Sequence, residues 1–128
     1  MSAMSDYLEN EILDHILRNA AYTPASTVYI GLSTGSFADG NSGTELTGNS
    51  YARQSIAFDA ASGGTTDNTS AIDFPTATGS WGAVSHWGLF DAATSGNLLI
   101  HGAFSAGKAV ASGDILRIAA GELDITAA

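Results

Sequence analysis

The sequence contains no cysteine among its 128 residues, so it can form no disulfide and no thiolate metal site. The same absence excludes cysteine nucleophiles from any catalytic scheme. Proline is also scarce, with two residues, whereas glycine is abundant, with 15. These counts indicate a fold that depends on its apolar core and turns rather than on covalent cross-links, and they fit synthesis inside a cell.

Charged residues are few, and basic residues are the rarest of them. Four Lys and Arg stand against 13 Asp and Glu, which gives a formal net charge of -9. An acidic surface repels phosphate, so we expect no nucleic-acid partner and no adsorption to an anionic membrane. Only 13% of the residues are charged, against about 25% in an average soluble protein. A surface with few long charged side chains loses little side-chain entropy when a neighbouring protein covers it.

Long apolar runs are missing as well. No stretch approaches the roughly 20 apolar residues that a membrane-spanning helix needs. The first six residues lack the basic start and apolar region of a secretory signal. We therefore expect a single domain over residues 1–128 that is neither secreted by the usual route nor inserted in a membrane.

The periodicity near the N-terminus predicts one helix over residues 6–20. Leu8, Ile12 and Ile16 recur every four residues, and Leu13 and Leu17 extend this apolar stripe on the adjacent side. Two interpretations remain open, because the stripe can pack on the domain's own sheet or against a partner protein. Leu8, Ile12 and Ile16 are therefore candidate interaction residues.

Alternating apolar and polar residues predict short strands over the rest of the chain, from residue 27 to 126. Seven or eight such runs, separated by Gly-, Ser- and Asn-rich turns, indicate a mainly β protein with an antiparallel sandwich or jelly-roll-like fold. A long polar loop at residues 34–50 interrupts this pattern. Loops of this length are usually functional, so its two acids, Asp39 and Glu45, are further candidate interaction residues.

Residue patterns that support catalysis are not found. His15, His86 and His101 have no metal-ligand spacing, and no G-x-S-x-G nucleophile turn occurs. Residues 39–45 carry oxygen ligands at alternating positions, but the segment is too short for an EF-hand loop. We predict a protein that is not an enzyme and that needs no metal and no cofactor.

The two tryptophans allow two different interpretations. Trp87 alternates in phase with Leu89, which favours a position in the core. Trp81 is flanked by Ser80 and Gly82, and it is either a core residue or an exposed platform for stacking against a sugar. Trp81 is the last candidate interaction residue.

Several segments together resemble a family of small phage virion structural proteins, whose members are commonly labelled tail-fibre or virion structural proteins. The similarity extends over nearly the whole chain from about residue 5, at residues 7–10, 13–15, 21–24, 28–32, 51–54, 58–64, 80–93, 112–114 and 120–123. The resemblance implies a component of a phage particle, made in the cytoplasm of a bacterial host.

Three functional hypotheses follow. The first is a head cement or decoration protein, a homotrimer that joins copies of the major capsid protein, because a one-domain chain lacks the repeated shaft of a long fibre. The second is a tail-fibre or tail-adaptor subunit whose partners are tail proteins. The third is a module that binds host glycans through Trp81. The number of copies per particle separates the first two.

Overall fold

The computed structural model describes residues 2–40 and 43–127. Within these ranges the chain forms one helix and nine strands. The helix α1 is Asp6–Leu17, and it is too short and too polar to span a membrane. The strands are β1 Ser2–Met4, β2 Val28–Ser33, β3 Gln54–Ile56, β4 Thr65–Asp67, β5 Ile72–Asp73, β6 Gly82–Phe90, β7 Leu98–Val110, β8 Arg117–Ile118 and β9 Asp124–Thr126.

Five of the strands form one sheet in the order β1-β7-β6-β2-β3, and every pair in it is antiparallel. The remaining strands form two short antiparallel ribbons, β4 with β9 and β5 with β8. The prediction of a mainly β, antiparallel protein with one helix near the N-terminus is therefore confirmed. Each ribbon joins segments far apart in the chain, so the fold depends on long-range pairing.

The core lies between the five-stranded sheet and the two ribbons. Ile30 and Leu32 of β2 stand opposite Leu89 and Trp87 of β6, and all four side chains are buried on the same face of the sheet. The ribbons cover this face with Ile72, Ile118 and Ile125, which belong to the same cluster of buried side chains. These four residues alternate along their strands, as side chains on one face must, while the residues between them, Gly31 and Gly88, are buried as well. The prediction that Trp87 is a core residue is confirmed.

The helix ends three residues earlier than the sequence predicted. Arg18 is the C-cap, and its backbone N–H donates to the carbonyl oxygen of Asp14. Asn19 then adopts a left-handed conformation with φ of 54°. A left-handed residue directly after the last turn is a common way for a helix to stop, and Asn adopts this conformation more readily than most residues.

Two strands were missed in the sequence. The first, β1, lies before the predicted helix and pairs with Ile100, His101 and Gly102 of β7. The second, β4, lies in a segment for which the sequence predicted no strand, and it pairs with β9. Both have three residues, and both are formed by backbone pairing with strands that are distant in sequence.

The described part of the predicted 34–50 loop packs against the domain. Phe37 is buried with Phe90 and Leu98, Glu45 forms an isolated bridge with Ser33, and the Leu46 N–H donates to the Leu32 carbonyl over 2.9 Å. Residues 41 and 42 of this loop, and residues 1 and 128 at the ends of the predicted domain, lie outside the described residues.

Trp81 is a core residue, which corrects its prediction as a candidate interaction residue. Its side chain is only 5% exposed and makes edge-to-face contacts with Tyr51 and Phe74 at centroid distances of 5.6 and 6.4 Å. The indole N–H donates to the carbonyl oxygen of Asn49 over 3.0 Å. No face of this ring is available to stack on a sugar.

We expect Trp81→Ala to lower the free energy of unfolding by about 3–5 kcal/mol, because it leaves a large cavity and removes a buried hydrogen bond. Urea denaturation followed by circular dichroism measures this loss. Phe104→Ala, at a half-buried residue on the edge of the same core, is the control and should cost less. A stability unchanged by Trp81→Ala would contradict the core assignment.

Candidate interaction surface

The helix is fixed to the sheet at its first turn. Ser5 is the N-cap, and its side-chain oxygen accepts a hydrogen bond from the Leu8 N–H over 3.2 Å. The same hydroxyl donates to the carbonyl oxygen of Leu98, and the Ser5 N–H donates to that of Leu99 over 2.8 Å. Ser5 is fully buried. The start of the helix is therefore hydrogen-bonded directly to β7.

The apolar stripe of the helix changes from buried to exposed along its length. Leu8 is 9% exposed and packs in the domain, and Ile12 is half-buried. Leu13, Ile16 and Leu17 are 54%, 69% and 74% exposed. The two interpretations drawn from the sequence thus apply to different turns: Leu8 packs on the sheet, whereas Ile16 is at the surface.

We call Leu13, Ile16 and Leu17 the helix row. Residues three and four apart are neighbours on a helix surface, so these side chains form one continuous apolar strip. Arg18 follows the row and makes an exposed ion pair with Asp14 at 3.3 Å. Such a pair adds little stability in water. Elsewhere in the described part of the chain, the large apolar side chain of Ile115 is also at the surface, and it is 55% exposed.

Glu45, one of the candidate interaction residues, takes part in an internal ion pair with Arg53. Arg53 donates from Nε to Glu45 Oε2 over 2.9 Å and from an outer nitrogen to Oε1 over 2.8 Å. The Tyr51 hydroxyl donates to Glu45 Oε2 over 2.5 Å and accepts from the Leu32 N–H over 2.9 Å. Burial, followed by the hydrogen bond to Glu45, raises the pKa of Tyr51 far above its usual value. The phenol therefore remains protonated.

Arg53 joins this loop to the turn between β6 and β7. Its guanidinium lies 3.6 Å from the centre of the Phe90 ring and donates to the carbonyl oxygens of Ala92 and Ser95, each over 2.8 Å. A Cβ at Gly31 would lie 2.7 Å from Glu45 Oε2 and 3.1 Å from Phe90. The absence of a side chain at Gly31 therefore leaves room for the side chains of Glu45 and Phe90.

Asp39 lies at the surface but has an internal partner. Its Oδ1 is 2.7 Å from His101 Nε2, and its backbone carbonyl accepts from the Asp6 N–H over 2.9 Å. The Nδ1 atom of His86 lies 2.7 Å from the Ser85 hydroxyl, within hydrogen-bond distance. Near the end of the helix, the His15 ring forms hydrogen bonds with the backbone of residues 20 and 22. Across residues 2–40 and 43–127, no three acidic or histidine side chains are grouped to hold a metal ion.

Comparison with known proteins gives one family. A model described as "Podophage GP4 fiber I protein gp80" matches residues 3–126. No curated protein matches the chain. The family match covers nearly the whole sequence and confirms the resemblance to small phage virion structural proteins.

The two halves of the helix should respond differently to truncation. We expect Leu8→Ala to lower the free energy of unfolding by about 2–5 kcal/mol, because it opens a cavity beneath the first turn. Ile16→Ala, on the same stripe, should change it by about 0.5 kcal/mol or less, because the side chain is already in solvent. Denaturant unfolding of both variants measures the contrast. Equal losses would contradict the exposure of the helix row.

Arg53→Lys should lower the free energy of unfolding by about 3 kcal/mol or more, although the charge is conserved. Lys cannot bind a carboxylate in two places and donate to two carbonyls while stacking on a ring, so several acceptors that Arg53 satisfies would lose their donor. Arg117→Lys is the control, because the Arg117 side chain is exposed and its Nε lies 3.7 Å from Asp73 Oδ1. Thermal unfolding of both variants at one pH gives the comparison. Equal unfolding temperatures for the two variants would show that the geometry of the Arg53 contacts does not contribute to stability.

Proposed function

Because the chain belongs to the podophage GP4 fiber I protein gp80 family, we propose that it is a non-enzymatic structural subunit of the phage fibre. The family is one of phage virion structural proteins. Its description names a fibre, which favours the tail-fibre hypothesis over the head-cement hypothesis for this chain. In this proposal the chain is built into the particle by contacts with other fibre subunits.

The exposed helix row is the observation that carries the proposal. Single exposed apolar residues are ordinary at a protein surface, whereas a continuous strip of large aliphatic side chains indicates a contact site. Burying one such side chain contributes about 1.5–3 kcal/mol. Leu13, Ile16 and Leu17 are at least half exposed and adjacent, so their burial would stabilise an assembled state substantially.

The position of the row also supports assembly. The first turn of the helix is bonded to β7, so the row is presented on a helix with a fixed start rather than on a mobile tail. Presenting a preformed surface reduces the conformational entropy lost on binding. An amphipathic helix that lies in an apolar groove is a recurring form of protein recognition.

The polar clusters of the domain support a structural role rather than a catalytic one. Glu45, Tyr51 and Arg53 bond to one another and to the backbone. A catalytic group must be free to exchange a proton or to bind a substrate, and these groups are occupied with holding two loops together. The glycan hypothesis depended on an exposed Trp81, which is buried.

The copy number of the chain in purified virions tests the proposed location. A fibre subunit should be present in tens of copies per particle, whereas a cement protein should be present in hundreds. Quantitative mass spectrometry against the major capsid protein measures this ratio. Hundreds of copies per particle would contradict the fibre hypothesis and favour the head-cement hypothesis.

Incorporation of a variant tests the surface itself. We expect Ile16→Asp to fold normally and to be missing from particles, because a charge on the helix row cannot be buried at low cost. Ile115→Asp, which places the same charge on another exposed residue, should be incorporated as the unaltered chain is. Normal incorporation of Ile16→Asp would exclude the helix row from assembly.

A further inference from the structure

The pairing of β6 with β7 is interrupted by a bulge. Val84 pairs with Lys108 and His86 pairs with Ala103, so the one residue between the first two on β6 stands opposite residues 104–107 of β7. Bulges break the backbone ladder and redirect side chains, and they are frequent next to active sites. The bulge therefore marks a part of the sheet where a site can form.

A polar pocket lies at this bulge. Its volume is about 190 Å³, and most of its exposed lining is polar. An engineered cavity of roughly 150 Å³ holds a benzene molecule, so this pocket has room for a six-membered ring. Its lining includes Trp87, Phe104, Ser105, Glu122 and Asp124.

The pocket contains a hydrogen-bond donor that has no internal partner. Trp87 is only 2% exposed, and its indole N–H forms no hydrogen bond with any residue in the described part of the chain. Within residues 2–40 and 43–127, no buried side-chain nitrogen or oxygen lacks a partner. The Trp87 N–H is therefore not enclosed, and it opens to the pocket that Trp87 lines. The indole N–H of Trp81, in contrast, donates to Asn49.

Two carboxylates supply acceptors at the same pocket. Asp124 is exposed and makes no hydrogen bond or ion pair within the described residues. Glu122 lies 3.0 Å from the Lys108 ammonium and accepts from the Ala119 N–H over 3.0 Å. Although desolvation acts in the opposite direction, these two hydrogen bonds lower the pKa of Glu122. Its carboxylate therefore stays ionised and fixed in position.

The donor and the acceptors together select the chemistry of a ligand. An anion would be repelled by Glu122 and Asp124, and an ammonium ion has no lone pair to accept from Trp87. A hydroxyl group can accept from the indole and donate to a carboxylate. A primary amide can also do both, but it presents one carbonyl and one nitrogen. A sugar ring carries hydroxyls in several directions, so it can meet Trp87, the carboxylates and the Ser105 hydroxyl together.

We propose that this pocket binds a neutral sugar ring, whose hydroxyls accept from the Trp87 indole N–H and donate to Asp124 and Glu122. The site shares no residue with the helix row, and it goes beyond the proposed fibre role without resting on it. Trp81, the tryptophan for which the sequence allowed a sugar platform, takes no part. A small polar ligand of this size should bind with a Kd of about 1–10 mM.

Proton–nitrogen correlation NMR of the full-length chain tests the site directly, because each of the two tryptophans gives one indole signal. The probes are glucose, galactose, mannose and N-acetylglucosamine, each titrated separately. At least one sugar should shift the Trp87 signal to saturation and leave the Trp81 signal in place. Trp87→Phe keeps an aromatic ring but removes the N–H, so it assigns the signals, and Trp81→Phe replaces it if that variant does not fold.

A pair of aspartate variants tests the carboxylate. Asp124→Ala should weaken binding roughly tenfold, as the loss of a hydrogen bond to a charged group does. Asp124 is exposed and adds to the repulsion at Asp67 across the ribbon, so this variant should fold. Asp73→Ala is the control, because Asp73 is an exposed acid in another short strand, β5, and does not line the pocket. It should bind the sugar as the unaltered chain does.

Four outcomes would overturn the sugar site. In the first, no sugar of the panel shifts the Trp87 signal, or every sugar shifts both indole signals alike. In the second, Asp124→Ala binds as tightly as the unaltered chain. In the third, acetamide or acetate shifts the Trp87 signal where no sugar does, which would assign the pocket to an amide of a partner protein or to an anion. In the fourth, glycerol binds as tightly as the best sugar, so that an isolated hydroxyl and not a ring is recognised.

Discussion

The attachment of the helix through Ser5 is the constraint on which the functional surface depends. A helix of 12 residues is marginal in water by itself, since isolated helices shorter than about 12–15 residues rarely form. Here the first turn is held by bonds from Ser5 to β7 and by the burial of Leu8. The later turns therefore remain helical without packing against the sheet, and their apolar side chains remain exposed.

Arg53 fixes a second set of contacts in the molecule. It is one of four Lys and Arg residues in the chain, and its side chain is only 8% exposed. Burying a charge is costly unless it is paired and fully hydrogen-bonded. Glu45, two carbonyls and the Phe90 ring meet that condition together. This scarce charge thus holds the 34–50 loop and the turn after β6 against the sheet.

Local patterns predicted the parts of this fold that depend on local geometry. Alternation gave β2 and β6, and the four-residue repeat of Leu8, Ile12 and Ile16 gave the helix. The bonds of Arg53 to Ala92 and Ser95 span 39 and 42 residues, and contacts of that kind leave no pattern in the sequence. The stripe likewise identified which helix face is apolar but not what covers it, because burial in the chain and burial in a partner select the same residues. Trp81 was left open for this reason as well.

The net charge of -9 limits how copies of this chain can meet. Like charges repel at long range, so association needs apolar area together with a local match of charge. At the helix row the apolar area lies beside a balanced local charge, because Arg18 pairs with Asp14 at 3.3 Å. The acidic composition therefore favours association through the helix row, where apolar area can be buried without adding to the repulsion between carboxylates.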